Sequence, residues 1–266
     1  MEALRQVEEW PCAHVAVAVT GTFEAAHGDV DHTFAWASVT KLAAAVAMLV
    51  AAEEGLVDLD EAAGPPGSTF RHLLAHASGL PFDPGPPIAR PGAKRVYSNY
   101  GFDVAAAHAE ERAEMRFAEY FSAVWRGTGI VLDGSAGSGA SGTIDDLAAL
   151  ARELQRPERL AAETLAEARN VQFPGLVGVL PGFGRQEPND WGLGLELRNG
   201  KSPHWTGSRN SSATYGHFGR SGTFVWVDPV AGIALACLTD LDFGDWARVA
   251  WPRLADAVLA EAARSG

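Results

Sequence analysis

The sequence predicts an α/β (α+β) fold: an antiparallel sheet built from both ends of the chain, flanked by terminal helices, with a helical lobe between. Three observations carry this. Residues Cys12 to Thr20 alternate as a strand does. Thr223 to Val227 and Ile233 to Leu238 are two strong adjacent strands joined by a turn at Asp228-Pro229, which reads as an antiparallel hairpin. Between them the pattern is mainly helical. Closing the two ends into one sheet assigns residues 1–60 with 190–266 to a sheet lobe and 61–189 to a helical lobe, packed as one unit with the site in the cleft between.

Taken in order, residues 2–9 suit a short helix stopped by Pro11, and Thr22 to Ala26 returns as the partner of the first strand. The run from Phe34 to Gly55 holds a helix after Val39, filled by Ala, Leu, Met and Val, with charge returning only at Glu53 and Glu54. Ser68 or Thr69 caps a short helix in FRHLLAHASGL, stopped by Gly79 and Pro81. Its His72 and His76 lie four apart, but the pattern lacks the glutamate of a metalloprotease helix and reads as structural. The Pro- and Gly-rich stretch 81–93 is a loop placed to rim a cleft. Helices follow over about 100–110 and 114–126, the second with Phe117, Tyr120, Phe121, Val124 and Trp125 as core. Residues 133–142 read as a flexible connection, and Thr143 with Asp146 forms a capping box for the next helix. A further helix covers about 158–168. WGLGLELR from Trp191 reads as a strand, 199–215 as a polar loop, and the chain ends in an amphipathic helix.

Composition narrows the function. The 266 residues are 47% hydrophobic, ample for a sizeable core. A net charge of −12 offers no basic surface to nucleic acid. Cys12 and Cys237 are too few for a disulfide scaffold and suit thiols in a reducing compartment. The first twenty residues show no signal peptide, and no run of eighteen apolar residues exists, so the expectation is a cytoplasmic protein with no membrane association.

Lys41 is the anomaly of the first long helix. It stands near the start of an otherwise uncharged run with Ser38 three residues before it, a spacing that puts both on one face. The helix's positive end and burial both lower the pKa of an ammonium there, and a neutral amine can take a serine proton. The competing reading makes Ser38 a helix cap and lets Lys41 snorkel to water. Tyr97-Ser98-Asn99 stands at a loop-to-helix junction, where Tyr and Asn can point into a pocket or serve turn and cap chemistry, with Asn99 capping.

Ser38-Val39-Thr40-Lys41, Tyr97-Ser98-Asn99 and His217-Phe218-Gly219 occur in this order, and together they resemble the serine beta-lactamase and penicillin-binding-protein superfamily. The similarity is greatest to its class C branch, with its D-Ala-D-Ala carboxypeptidases and family VIII esterases. Leu73 to Leu80, Pro91-Gly92, Ser141-Gly142-Thr143, Gly192-Leu193-Gly194 and Gly222-Thr223 echo it across the chain. The resemblance implies a beta-lactamase/transpeptidase-like fold, with Ser38 as the acylated nucleophile and Lys41 as its activator. Tyr97 would pass protons, as phenolate or within a shared network. Asn99 would bind Lys41 and a substrate carbonyl, and His217, Phe218 and Gly219 would edge the site. The amides of Ser38 and Arg220 would form the oxyanion hole. No cofactor is expected, and no metal, since the His72–His76 pair lacks a third ligand. The middle Thr or Ser of the third motif is here Phe218, so a hydroxyl for a substrate carboxylate is missing; Arg220 could replace that anchor. With no export signal, the leading expectation is an esterase-type serine hydrolase acting through an acyl-enzyme on a small ester or amide. D-Ala-D-Ala carboxypeptidase, beta-lactamase, acyltransferase and a non-catalytic ligand-binding member of the fold stand as alternatives.

Overall fold

The computed structural model of the chain describes residues 1–265. A 3-10 helix covers Glu2–Glu9 and leads into the hairpin β1 (Val15–Gly21) and β2 (Ala25–Gly28). A two-residue strand β3 (Phe34–Ala35) precedes α1 (Thr40–Glu53). The middle of the chain carries α2 (Phe70–Leu74), α3 (Asn99–Ala113), α4 (Phe117–Val124), the short strands β4 (Val131–Leu132) and β5 (Ala140–Gly142), α5 (Ile144–Gln155) and α6 (Ala162–Ala168). A small hairpin β6 (Gly178–Leu180) and β7 (Gly184–Gln186) follows. Then come β8 (Glu196–Leu197), β9 (Tyr215–Phe218), β10 (Phe224–Asp228), β11 (Ile233–Thr239) and α7 (Asp245–Ser265).

The main sheet is antiparallel, in the order β2-β1-β11-β10-β9-β8. The first strand of the chain lies beside the last, with Val17 opposite Cys237, so the two ends close into one sheet as expected. Both faces are covered. Ala16, Ala18, Val225, Val227, Ala234, Ala236 and Leu238 pack into the core that holds α1 and α5. Their alternates Val17, Val19, Phe224, Trp226, Leu235 and Cys237 pack against the N-terminal 3-10 helix and α7. Buried on both faces, β10 and β11 read as unbroken apolar runs. Helix α5 falls within the mainly helical stretch of the sequence yet packs on β1, β10 and β11. Its Thr143–Asp146 capping box forms as the sequence predicts.

Element ends differ where a local hydrogen bond or a turn takes the backbone out of the regular pattern. The first strand starts at Val15 because the amides of Ala13 and His14 donate to Asp240 Oδ1, at 3.0 and 3.1 Å. The helix after Thr69 stops at Leu74, and His76 then turns the chain with φ 54°. WGLGLELR pairs only over Glu196–Leu197, plus one bridge from Trp191, because Gly192 N–H turns back to the Leu195 carbonyl at 2.8 Å. Among the described residues no helix is long and apolar enough to cross a membrane.

Candidate active site

Ser38 sits in a one-turn 3-10 helix, Ala37–Val39, that feeds into α1. Its hydroxyl does not cap the helix: the N-cap is Val39, with no side-chain bond. The turn is held from three directions. Trp36 N–H donates to the Ala140 carbonyl (2.9 Å), Thr223 Oγ1 donates to the Trp36 carbonyl (2.9 Å), and Thr40 Oγ1 accepts from Ala140 N–H (2.9 Å). Ala37 has φ 45°, a left-handed conformation costing a non-glycine residue about 1–2 kcal/mol, which this scaffold must offset. The result is a partly exposed serine on a rigid turn.

Lys41 is fully buried, so it does not snorkel. Its Nζ lies 3.3 Å from Ser38 Oγ, 2.7 Å from the Gly137 carbonyl oxygen, and in hydrogen-bond contact with Asn99 Oδ1. Burial lowers its pKa from 10.5 to about 7, with Asp103 pulling weakly the other way. A neutral amine has two N–H donors and one lone pair. Asn99 and Gly137 accept the two donors, which leaves the lone pair for Ser38. Asn99 is free for this because Ser98, not Asn99, caps α3, its hydroxyl accepting from Gly101 N–H at 2.7 Å.

Tyr97 stands beside them, its ring 4.7 Å from Lys41 Nζ and against His76, Trp191 and His217. Burial raises its pKa above the ordinary value, and an interaction with Ser38 opposes the rise. His76 fixes the backbone on both sides of Tyr97: its carbonyl accepts from Val96 N–H (2.9 Å) and its Nδ1 from Ser98 N–H (3.2 Å). The buried His76 Nε2 has no hydrogen-bond partner, and the ring meets Trp191 edge to face. His217 donates from Nδ1 to the Phe218 carbonyl (2.6 Å), so its Nε2 is the acceptor facing the Tyr97 hydroxyl at 3.4 Å. Burial, with Lys41 nearby, lowers the His217 pKa to about 3 and keeps the ring neutral.

Gly219 lets the end of β9 approach the turn that carries Ser38. A Cβ there would stand 2.6 Å from the Trp36 carbonyl oxygen and 3.1 Å from Ala37 Cβ. The amides of Ser38 and Arg220, on the two sides of this contact, have no acceptor among the described residues. The Arg220 side chain is 87% exposed and donates from Nε to Asp242 (3.3 Å), and the residue lines the cavity beside Ser38. Phe218 packs among Phe183, Trp205, Phe243 and Trp251. Beside Ser38 opens a cavity of about 420 Å³, with Tyr97, His217 and apolar walls.

The structure thus brings Ser38, Lys41, Tyr97, Asn99 and His217 together, sets Gly219 against the turn that carries Ser38, with Arg220 next in the chain, and makes Phe218 a wall. Three contributors escape sequence reasoning. The Gly137 carbonyl lies in a stretch that reads as a flexible connection. His76 reads as a structural histidine, although its place in LLAHASGL was a signal. The cavity walls Leu180 and Phe243 carry no motif.

The sequence pattern of the beta-lactamase family matches residues 2–260. The crystal structure of a beta-lactamase from Mycobacterium bovis is 52% identical, with TM-score 0.96, over 98% of this chain and 99% of that one. A mutant of simvastatin synthase from Aspergillus terreus (16% identity, TM-score 0.80, 100% and 98% covered) shares the fold. So does EstCE1, a hydrolase with promiscuous acyltransferase activity (18%, 0.76, 97% of each chain). A comparison with curated protein sequences found no match.

Proposed function

The chain belongs to the beta-lactamase family, serine hydrolases that work through an acyl-enzyme, and from that premise we propose that Ser38 carries the acyl group. The Lys41 contact set supports this most directly: two of its three hydrogen-bonding directions are taken by Asn99 and Gly137, and the third meets Ser38. Lys41 takes the Ser38 proton as Oγ bonds to the substrate carbonyl carbon. The amides of Ser38 and Arg220 hold the oxyanion; one such donor is worth about 3 kcal/mol in a comparable hydrolase. The bond to the leaving group then breaks, and the leaving atom takes a proton from Tyr97, which regains one from Lys41. Water repeats the steps on the acyl-enzyme, releasing the acid and restoring Ser38.

For the substrate, ring opening of a beta-lactam stands first, on the 52% identity to a protein described as a beta-lactamase. A carboxylate-bearing lactam finds no hydroxyl at Phe218, so a high KM is expected. The second reading is hydrolysis of small esters, favoured by the apolar cavity. Both are tested by rates on nitrocefin and on p-nitrophenyl acetate and butyrate, with the acylated peptide located by mass. An adduct on Ser38, absent from Ser38→Ala, is expected. Labelling that persists in Ser38→Ala refutes the assignment, and a preference for esters over nitrocefin reverses the order of the two readings. A cytoplasmic location is proposed with this function, since Cys12 and Cys237 stand apart as free cysteines and suit a reducing compartment.

A further inference from the structure

The cavity beside Ser38 has a direction. Tyr97 and His217 line it; Lys41, Asn99 and Gly137 do not. A departing atom needs a proton donor within hydrogen-bond reach. The group on this side of Ser38 that can donate is the Tyr97 hydroxyl, so the cavity lies where the leaving group departs rather than where the acyl chain rests.

Its walls state what fits. Phe82 stands at the rim, and Leu180, Trp191, Phe218 and Phe243 form the inside. The turn after β6 is built to press on Phe243: Gly182 has φ 76°, and a Cβ there would stand 2.6 Å from the ring. Phe183 backs both Phe218 and Phe243. Arg220 is part of the lining, but its side chain is 87% exposed and its guanidinium is already paired with Asp242. Glu196, the buried acid at the wall, is already held by Lys201, His204 Nε2 and Trp205 Nε1. A carboxylate entering would give up water and meet a carboxylate.

We propose that this cavity is a leaving-group subsite and that the leaving group it takes is an uncharged, apolar alcohol. The proposal rests on the acyl-enzyme reading and, within it, on the hydrolysis of small esters given above as the second reading. In the step, the ester C–O bond breaks as the Ser38 Oγ–acyl bond forms, and the alcohol oxygen leaves with a proton from Tyr97. By microscopic reversibility an alcohol seated there can attack the acyl-enzyme, returning its proton to Tyr97 and forming a new ester.

The test uses the full-length wild-type enzyme and two ester series followed by pH-stat. One holds acetate constant and lengthens the alcohol from ethyl to hexyl; the other holds ethyl constant and lengthens the acyl chain from acetate to octanoate. The expected kcat/KM rises about fourfold per methylene of alcohol until the cavity is filled, as complete burial of a methylene allows. The acyl series stays within about threefold over its whole range, well short of that slope. The acetate ester of 6-hydroxyhexanoate is expected at least about tenfold below hexyl acetate, from the cost of an unpaired carboxylate. Leu180→Trp moves the optimum to shorter alcohols, and Phe243→Ala to longer ones. A slope in the acyl series with a flat alcohol series overturns the proposal, as does equal use of the carboxylated ester. A fluorophosphonate probe on the wild type separates the two levels. If Ser38 is not labelled, the acyl-enzyme reading and the subsite both fall; if it is labelled and the alcohol series is flat, only the subsite falls.

Discussion

Replacing Lys41 by Met separates the buried amine from everything else that titrates. The Lys41 pKa is about 7 in the folded protein against 10.5 for a free lysine, and burial is the main cause. The sign follows from linkage. Between these values the unfolded chain holds a proton on this amine that the folded one has shed, so folding stability rises with pH. The contribution is fully present above pH 10.5 and lost as pH falls to 7. At about 1.4 kcal/mol per pH unit the whole span is worth on the order of 4–5 kcal/mol. Lys41→Met has no such titration; His76 and His217 also feel Lys41, but burial is the larger cause that keeps both neutral over the range used, and the remaining groups cancel. The donors lost to Asn99 and Gly137, and the new packing, add an offset that does not vary with pH. Urea unfolding of both proteins from pH 6.5 to 9.5 measures the difference. Wild type is expected to gain on Lys41→Met by about 1.4 kcal/mol per pH unit through the middle of this range. A difference that stays flat with pH refutes the reasoning, because the amine would then be charged in the folded protein.

The same group sets the rate profile: kcat/KM on a neutral ester should climb about tenfold per pH unit below 7 and level above it, and a profile flat from pH 5 to 9 excludes Lys41 as the base. Tyr97→Phe should lower kcat on the order of 10²–10⁴-fold, read in single-turnover kinetics with the fold checked by circular dichroism. His76→Ala removes the Ser98 acceptor and should lower kcat by about 10²-fold through misplacement of Tyr97, while His76→Asn, which keeps an acceptor near Nδ1, should recover most of it. Asp146→Ala should lower the unfolding free energy by about 2 kcal/mol in urea with activity unchanged, since it strips the α5 cap and orphans Gly129 N–H.

The sheet was legible because burial imposes a period. β1, β10 and β11 must present apolar side chains to both layers, and the chain ends had nowhere else to pair. The Ser38–Lys41 spacing was legible because one helix face enforces it. What the sequence hid is what tertiary contact decides. Gly137 contributes a backbone carbonyl, which leaves no trace in residue type. Ser98 takes the cap that Asn99 could equally have filled, and only the demand of Lys41 on Asn99 explains the choice. Phe218 read as a lost hydroxyl; its packing with Phe243 and Trp251 shows a wall gained.

The remaining question is where the proton rests before substrate arrives. An ammonium–phenolate pair and a neutral amine–phenol pair hold the same number of protons on Lys41 and Tyr97. Burial penalises both charged forms, lowering Lys41 to about 7 and raising Tyr97 above its ordinary value of 10. Both shifts favour the neutral amine–phenol pair at rest, with His217 neutral as well. That sets the order of events in the proposed mechanism. Lys41, not Tyr97, must take the first proton from Ser38. The ammonium so formed, already 4.7 Å from the Tyr97 ring, then favours the phenolate and makes Tyr97 a stronger acid at the moment the leaving group needs a proton. The first transfer thus prepares the second, and a lysine replaced by a neutral hydrogen-bonding group would lose both.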